Sequence, residues 1–323
     1  MAELGFLLDG FPPAPAITAQ AQAAEAGGAQ TLWIACHLFQ REPATLAAIA
    51  LSATKKIRVG LMAISPYAVH PVFAAMAATT LAELFPGRVV LSLGVGAPAD
   101  LKSAGIASPR PLRTMRETLE ICRALVAGEV VEYAGEVFKI EGRRLINADK
   151  PMPVLLAAAG PQMLALAGAA ADGVIISGGT SVPFARWCLD QVDRGAGSSG
   201  GRACRKVGIV YGHVAEREDD ALQRSRRVLG FILRGEHHAR NLDMVGLKLD
   251  QAALREACAC NDWQTVESLV TDDVVRHHTI SGTAAQARAR LAAYRSIGLD
   301  EIVIAGPTEP GDIRNSLEQL GQK

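Results

Sequence analysis

The groups able to move a proton, hold a metal or attack a substrate are few in this chain: seven histidines, six cysteines and no dense acidic cluster in 323 residues. His37 stands apart because it closes the apolar stretch "TLWIACH" (31–37). An imidazole at a strand end can point into a barrel mouth as a donor or proton carrier; a structural ring satisfied within the wall is the other reading. Trp33, two residues earlier on the same face, reads as packing. His237-His238 and His277-His278 are adjacent pairs without the i, i+4 spacing of a helical metal pair. Cys36, Cys122, Cys188, Cys204, Cys258 and Cys260 lack zinc spacing, and Cys258-Ala259-Cys260 is one residue short of C-x-x-C. They read as free thiols in a reducing compartment, and no metal site is expected.

A second chemistry is anion binding. "AAAGPQMLALAG" (157–168) sets small residues before a proline at a helix start, where a phosphate can approach unpaired N–H groups. "SGGT" (177–180) adds a hydroxyl and further amides; glycines that only turn the chain tightly are the alternative. Gly94-Val95-Gly96 is no dinucleotide fingerprint, since Pro98 intrudes and Ala99 replaces the third glycine.

The elements that must carry these residues are short apolar runs alternating with Ala-rich segments of helical spacing. Eight runs stand out, at 4–8, 31–37, 57–64, 88–96, 153–159, 173–178, 207–215 and 300–306. Eight strand–helix units predict an α/β fold, a (β/α)8 TIM barrel, with a doubly wound sheet as the rival. Sites in such barrels lie at the C-terminal strand ends, where Asp9, His37, Ser65, Asp100, Ser177 and Tyr211 fall. A single domain over 1–323 is expected, with a hairpin insertion at 128–152, a helical, irregular insertion at 236–280 and a flexible loop "RGAGSSGGRA" at 194–203. With 33 Lys+Arg against 33 Asp+Glu, nothing suggests nucleic acid or an anionic membrane, and a small-molecule substrate is the better expectation. The N-terminal stretch lacks a basic n-region and is broken by Asp9 and Pro12, which predicts a cytoplasmic protein.

Three ordered blocks resemble the luciferase-like superfamily of flavin and deazaflavin barrels, and its methylenetetrahydromethanopterin reductase branch in particular. They are "SPYAVHP" with "AAMAATTLAELFPGRVVLSLGVG", then "PVLLAAAGPQMLALAGAAADGVIISGG", then "GTAAQARARLAAYRSIGLDEIVIAG". The resemblance implies coenzyme F420 (a deazaflavin) or FMN as cofactor. It also implies a cis peptide between Met62 and Ala63 behind the ring, Ser65 beside it, and phosphate contacts at Ala158, Ala159, Gly160, Ser177 and Gly178. His37 would stand near the hydride site, and Asp100 is the nearest acid to the family's carboxylate after the fourth strand. The chain departs from the branch at Leu7 and Cys36, where family acids are replaced, and at Val69, where a basic residue is common. The function implied is F420-dependent hydride transfer to or from a small organic substrate. The alternatives are an FMN monooxygenase served by a partner flavin reductase, or a flavin-binding barrel without catalysis. A homodimer is implied; the apolar face of "PVFAAMAATTLAELF" (71–85) is one candidate for its contact, with packing on the barrel wall as the other reading.

Overall fold

The computed structural model describes residues 2–148, 152–201 and 203–322. Its strands in chain order are β1 (Glu3–Leu8), β2 (Thr31–Ala35), β3 (Arg58–Ile64), β4 (Val89–Leu93), β5 (Val131–Ala134), β6 (Lys139–Arg143), β7 (Val154–Ala158), β8 (Gly173–Ile176), β9 (Arg205–Tyr211) and β10 (Glu301–Ala305). Eight of them close into a parallel barrel in the order β1-β10-β9-β8-β7-β4-β3-β2. Because β1 pairs with both β2 and β10, the sheet has no edge, and the doubly wound alternative is overturned.

Beyond the charged residues that begin β1, β3, β9 and β10, the barrel strands are almost wholly apolar because both faces are covered. Leu32 and Ile34 point out into the layer beneath the helices, while Trp33 and Ala35 point into the lumen. β3 breaks this alternation: Leu61 and Ile64 pack outward, but Met62 and Ala63 both join the lumen cluster. The peptide between them is cis, where the resemblance implies it, and the β3–β4 register shifts over the same residues.

The N-terminal end of the lumen is closed by a chain of charge. Arg205 reaches Glu3 (2.5 Å) and Glu301 (2.9 Å), Arg58 reaches Glu3 (2.6 Å), and the Trp33 indole N–H donates to Glu301 (2.8 Å). Two glycines make room: a Cβ on Gly60 would lie 2.3 Å from the Trp33 ring, and one on Gly5 would lie 2.4 Å from Glu301. Burial works to raise the Glu3 carboxyl, yet the guanidiniums of Arg205 and Arg58 outweigh it and hold it below its ordinary range.

Two segments lie outside the strand–helix alternation. β5 and β6 form an antiparallel pair, and the buried Glu117 carboxylate accepts the N–H groups of Glu136, Val137 and Phe138 (3.0 Å each), pinning its turn to helix Pro111–Val126. Residues 149–151 of the expected 128–152 insertion lie outside the described residues. Within 236–280, helices Gln251–Ala259, Trp263–Leu269 and Asp272–His278 share an apolar core with helix Glu218–Leu233. The expected loop at 194–203 needs correction, because helix Val182–Ser198 runs through its first half. Gly195 is there for contact: its Cβ would lie 2.0 Å from the Ala165 carbonyl of helix Pro161–Ala170.

Candidate active site

At the C-terminal mouth, His37 follows β2 on the inward phase of Trp33 and Ala35. Asp100 sits in the first turn of helix Pro98–Ser103 after β4. The two strands flank β3, so the side chains meet across its end, with His37 Nδ1 3.7 Å from Asp100 Oδ2 and both partly open to solvent. That spacing is longer than a hydrogen bond and makes an ion pair when the imidazole is protonated. Leu7 is buried in the lumen cluster beside Trp33, and burial together with Glu42 pushes the Cys36 thiol up to about 11, so it stays a neutral thiol.

Below this pair lies a shelf of small residues. A Cβ on Gly94 would lie 3.0 Å from Ala63 Cβ and 3.4 Å from Ala157 Cβ, and one on Gly96 would lie 3.2 Å from Ser65 Oγ. Ser65 does not offer its proton to the mouth: the hydroxyl donates to the Val95 carbonyl (2.7 Å) and accepts from the Tyr67 N–H (3.3 Å), tying the β3 and β4 ends together. His70 N-caps helix Pro71–Leu84, with Nδ1 accepting the Val72 N–H (3.2 Å).

The predicted anion residues divide. Ala158 packs into the outer layer, so only its backbone reaches the strand end. Gly160 is exposed, nothing lies within 4 Å of where a Cβ would stand, and no side chain caps helix Pro161–Ala170, which leaves its first-turn amides available. Ala159 is half-buried beside it. Ala158 pairs in register with Ile176, so Ser177 just past β8 lies next to this opening, half-buried and without a side-chain partner among the described residues. Gly178 has a packing role that the motif did not reveal, because its Cβ would fall 2.5 Å from the Tyr211 ring. The arrangement fits a flat ring with a phosphate tail: a shelf that added carbons would fill, and next to it an uncapped helix start.

Sequence reasoning missed Asn241. Fully buried, it accepts the Ser181 N–H (2.8 Å) and donates to the Gly179 carbonyl (2.7 Å), while the Tyr294 hydroxyl donates to the Thr180 carbonyl (2.7 Å). The insertion thus sets the backbone of the "SGGT" turn, and no local pattern marks that partner 60 residues away. Arg234, folded over the Phe231 ring at 3.5 Å, adds a half-buried cation on the Asp100 side of the mouth. No group of three or more His, Cys, Asp or Glu side chains that could hold a metal ion is found among the described residues.

The family model described as luciferase-like monooxygenase matches residues 5–301. The chain belongs to this family. Among its luciferase-like relatives, a 5,10-methylenetetrahydromethanopterin reductase of Archaeoglobus fulgidus is 30% identical over 308 residues, covering 93% of this chain and 92% of the relative. The coenzyme F420 dependent tetrahydromethanopterin reductase from Methanopyrus kandleri superposes with a TM-score of 0.87 at 23% identity, covering 99% of this chain and 97% of that one. An F420-dependent secondary alcohol dehydrogenase, solved with an F420-acetone adduct, superposes with a TM-score of 0.82 at 18% identity, covering 99% and 98%. The luciferase-like barrel is therefore shared along nearly the whole chain. No helix among the described residues is long and apolar enough to cross a membrane.

Proposed function

We propose that the protein is an F420-dependent oxidoreductase that passes a hydride between the deazaflavin and a small organic substrate, in the manner of the methylenetetrahydromethanopterin reductases. The observation that carries this reading is the His37–Asp100 pair standing over the Ala63–Gly94–Ala157 shelf, in a chain whose long matches include reductases of that kind. When bound, the deazaflavin supplies hydride chemistry at C5. Met62 and Ala63, in the lumen cluster, would back the ring, and Ser65, bonded to Val95, would order the loop beside it. The first-turn amides after Gly160, with Ala158, Ala159, Ser177 and Gly178 around them, would hold the phosphate. His37 holds or releases the proton that accompanies the hydride, and Asp100 orients and neutralises the imidazole when it is charged. The apolar wall excludes water from the reacting atoms.

Absorbance and fluorescence titration of the purified protein with F420 and with FMN tests the reading. Stopped-flow mixing with methylenetetrahydromethanopterin and with a panel of secondary alcohols then follows the ring's redox state. Micromolar F420 binding and ring turnover are expected. Binding of FMN alone would transfer the protein to the monooxygenases served by a partner reductase, a reading favoured by the family model's own description. A cofactor retained unchanged across the panel would make it a binding barrel.

A homodimer belongs to the same proposal. Phe73, Met76 and Leu84 leave an exposed apolar stripe along helix Pro71–Leu84, with Val69 exposed just before it and Phe73 and Leu84 each 65% exposed. Sedimentation should show a dimer that Phe73→Asp converts to a monomer. Cys36, Cys122, Cys188, Cys258 and Cys260 as free thiols fit a cytoplasmic, reducing setting.

A further inference from the structure

A second polar pair at the mouth, Tyr211 and Asp9, is one that the reading above does not use. Tyr211 ends β9 and Asp9 follows β1, the two strands that flank β10. Round the closed ring β9 is four strands from β3 in either direction, so Tyr211 faces Met62 and Ala63 across the lumen. The ring is fixed in place. It packs against the lumen cluster, pairs in register with Ala305, and lies in a slot that exists because residue 178 is glycine: a Cβ there would sit 2.5 Å from Cε2 and 2.8 Å from Cδ2.

The hydroxyl differs from those of the other tyrosines. Tyr67 donates to the Pro109 carbonyl (2.7 Å), Tyr133 to Glu120 (2.6 Å) and Tyr294 to the Thr180 carbonyl (2.7 Å). The Tyr211 hydroxyl has no hydrogen-bond partner among the described residues. Tyr211, Asp9 and Thr308 line a cavity of about 10 Å³, with Leu7, Pro12 and Ala305 among its other walls. That is room for about one water, or for one hydroxyl group. The loop bearing Asp9 is held still: Asp9 accepts the Phe11 N–H (3.1 Å), and Arg41 donates to the carbonyls of Gly10 (2.9 Å) and Phe11 (3.1 Å). Burial and the nearby Asp9 charge push the phenol above its ordinary range, so it remains a neutral donor.

We propose that Tyr211 and Asp9 form a subsite for one hydroxyl group of the substrate, whose oxygen accepts from the Tyr211 phenol and whose proton is donated to the Asp9 carboxylate. The subsite makes the preferred substrate a hydroxyl-bearing molecule, anchored between the β1 end, next to the strand of His37, and the β9 end that faces β3. This rests on the proposed reaction for its meaning, although the subsite is formed by the chain's own residues.

The test labels the full-length protein with 3-fluorotyrosine and follows the residue-211 fluorine signal, assigned by its loss in Tyr211→Phe. The probes are 2-propanol, which accepts and donates, and acetone, which only accepts; each is titrated with and without bound F420 or FMN. A saturable shift with 2-propanol is expected, with acetone at least fivefold weaker and the alcohol at least fivefold weaker in Asp9→Asn. The signals of Tyr67, Tyr133 and Tyr294 should stay in place, and Tyr211→Phe should bind cofactor within twofold of the parent. A linear, unsaturable shift, equal responses to the two probes, or an Asp9→Asn protein that responds like the parent would overturn the subsite. Failure to bind either cofactor would instead remove the proposed reaction, and the cofactor-free titration would still decide the subsite.

Discussion

At the floor of the barrel, Arg205 bridges Glu3 and Glu301, and Trp33 fills the space that Gly5 and Gly60 leave. At the mouth, His37 and Asp100 stand 3.7 Å apart and half open, helix Pro161–Ala170 starts uncapped, and nothing approaches Gly160. Both ends are made by the same eight strands, and both collect glycine, aromatic and charged residues. What differs is where the polar groups are directed. Those of the floor are joined to one another, so their removal costs stability. Those of the mouth are left for something that arrives, so their removal should cost function.

Four experiments press on that contrast. The largest effect is expected at the mouth: His37→Asn or Asp100→Asn should lower turnover about 10²- to 10⁴-fold, as loss of a positioned acid–base group does. Stability should move by no more than about 1 kcal/mol in urea titrations, because the pair is half-exposed. A large stability loss in either variant would break the division of labour. At the floor the reverse is expected. Arg205→Met strands the almost fully buried Glu301 carboxylate and should cost roughly 3–5 kcal/mol, while the folded fraction keeps its cofactor affinity in fluorescence titration.

Acid should loosen the mouth before the floor. Burial above all holds His213 at about 4, His278 at about 4 and His238 at about 3, with Arg224 adding to the first and neighbouring histidines to the others. These folded values lie below the unfolded one, so the unfolded chain takes up protons first. Stability is therefore whole above about pH 6.5 and falls as pH drops toward 4, by roughly 2 kcal/mol per ring at pH 5. Hydrogen exchange at pH 7.5 and pH 5 should show the protection loss in 236–280 and the β9 end, with β1 and β10 near Glu3 and Glu301 unmoved.

The smallest effect comes from one substitution made at both ends. Gly60→Ala drives a methyl into the Trp33 ring and should cost about 1–3 kcal/mol. Gly160→Ala, at φ −85° with open space around it, should be neutral or stabilising by up to about 1 kcal/mol, and should weaken cofactor binding alone. Thermal melts beside cofactor titrations separate the two.

Much of the fold was legible because parallel barrel strands are buried on both faces and so leave unbroken apolar runs, each followed by a helix with its own stop signal. The strand ends were legible for the same reason, which is why His37, Ser65 and Asp100 could be picked out. The reading erred where glycine was taken for flexibility, because Gly195 lets two helices touch; at Gly178 it did not foresee a slot for an aromatic ring. Glycine's two uses, freedom and close approach, look identical until the neighbour is known.

By itself the sequence determined the alternation of strand and helix, the small residues before the Pro161 helix and the balanced surface charge, because each is written in neighbours along the chain. Only the tertiary structure decided that β1 meets β10, that His37 meets Asp100 over the end of β3, that Asn241 holds the "SGGT" turn, and that Tyr211 shares a cavity with Asp9. These depend on barrel closure and register, which bring together residues tens to hundreds of positions apart. Local patterns carry no record of such partners.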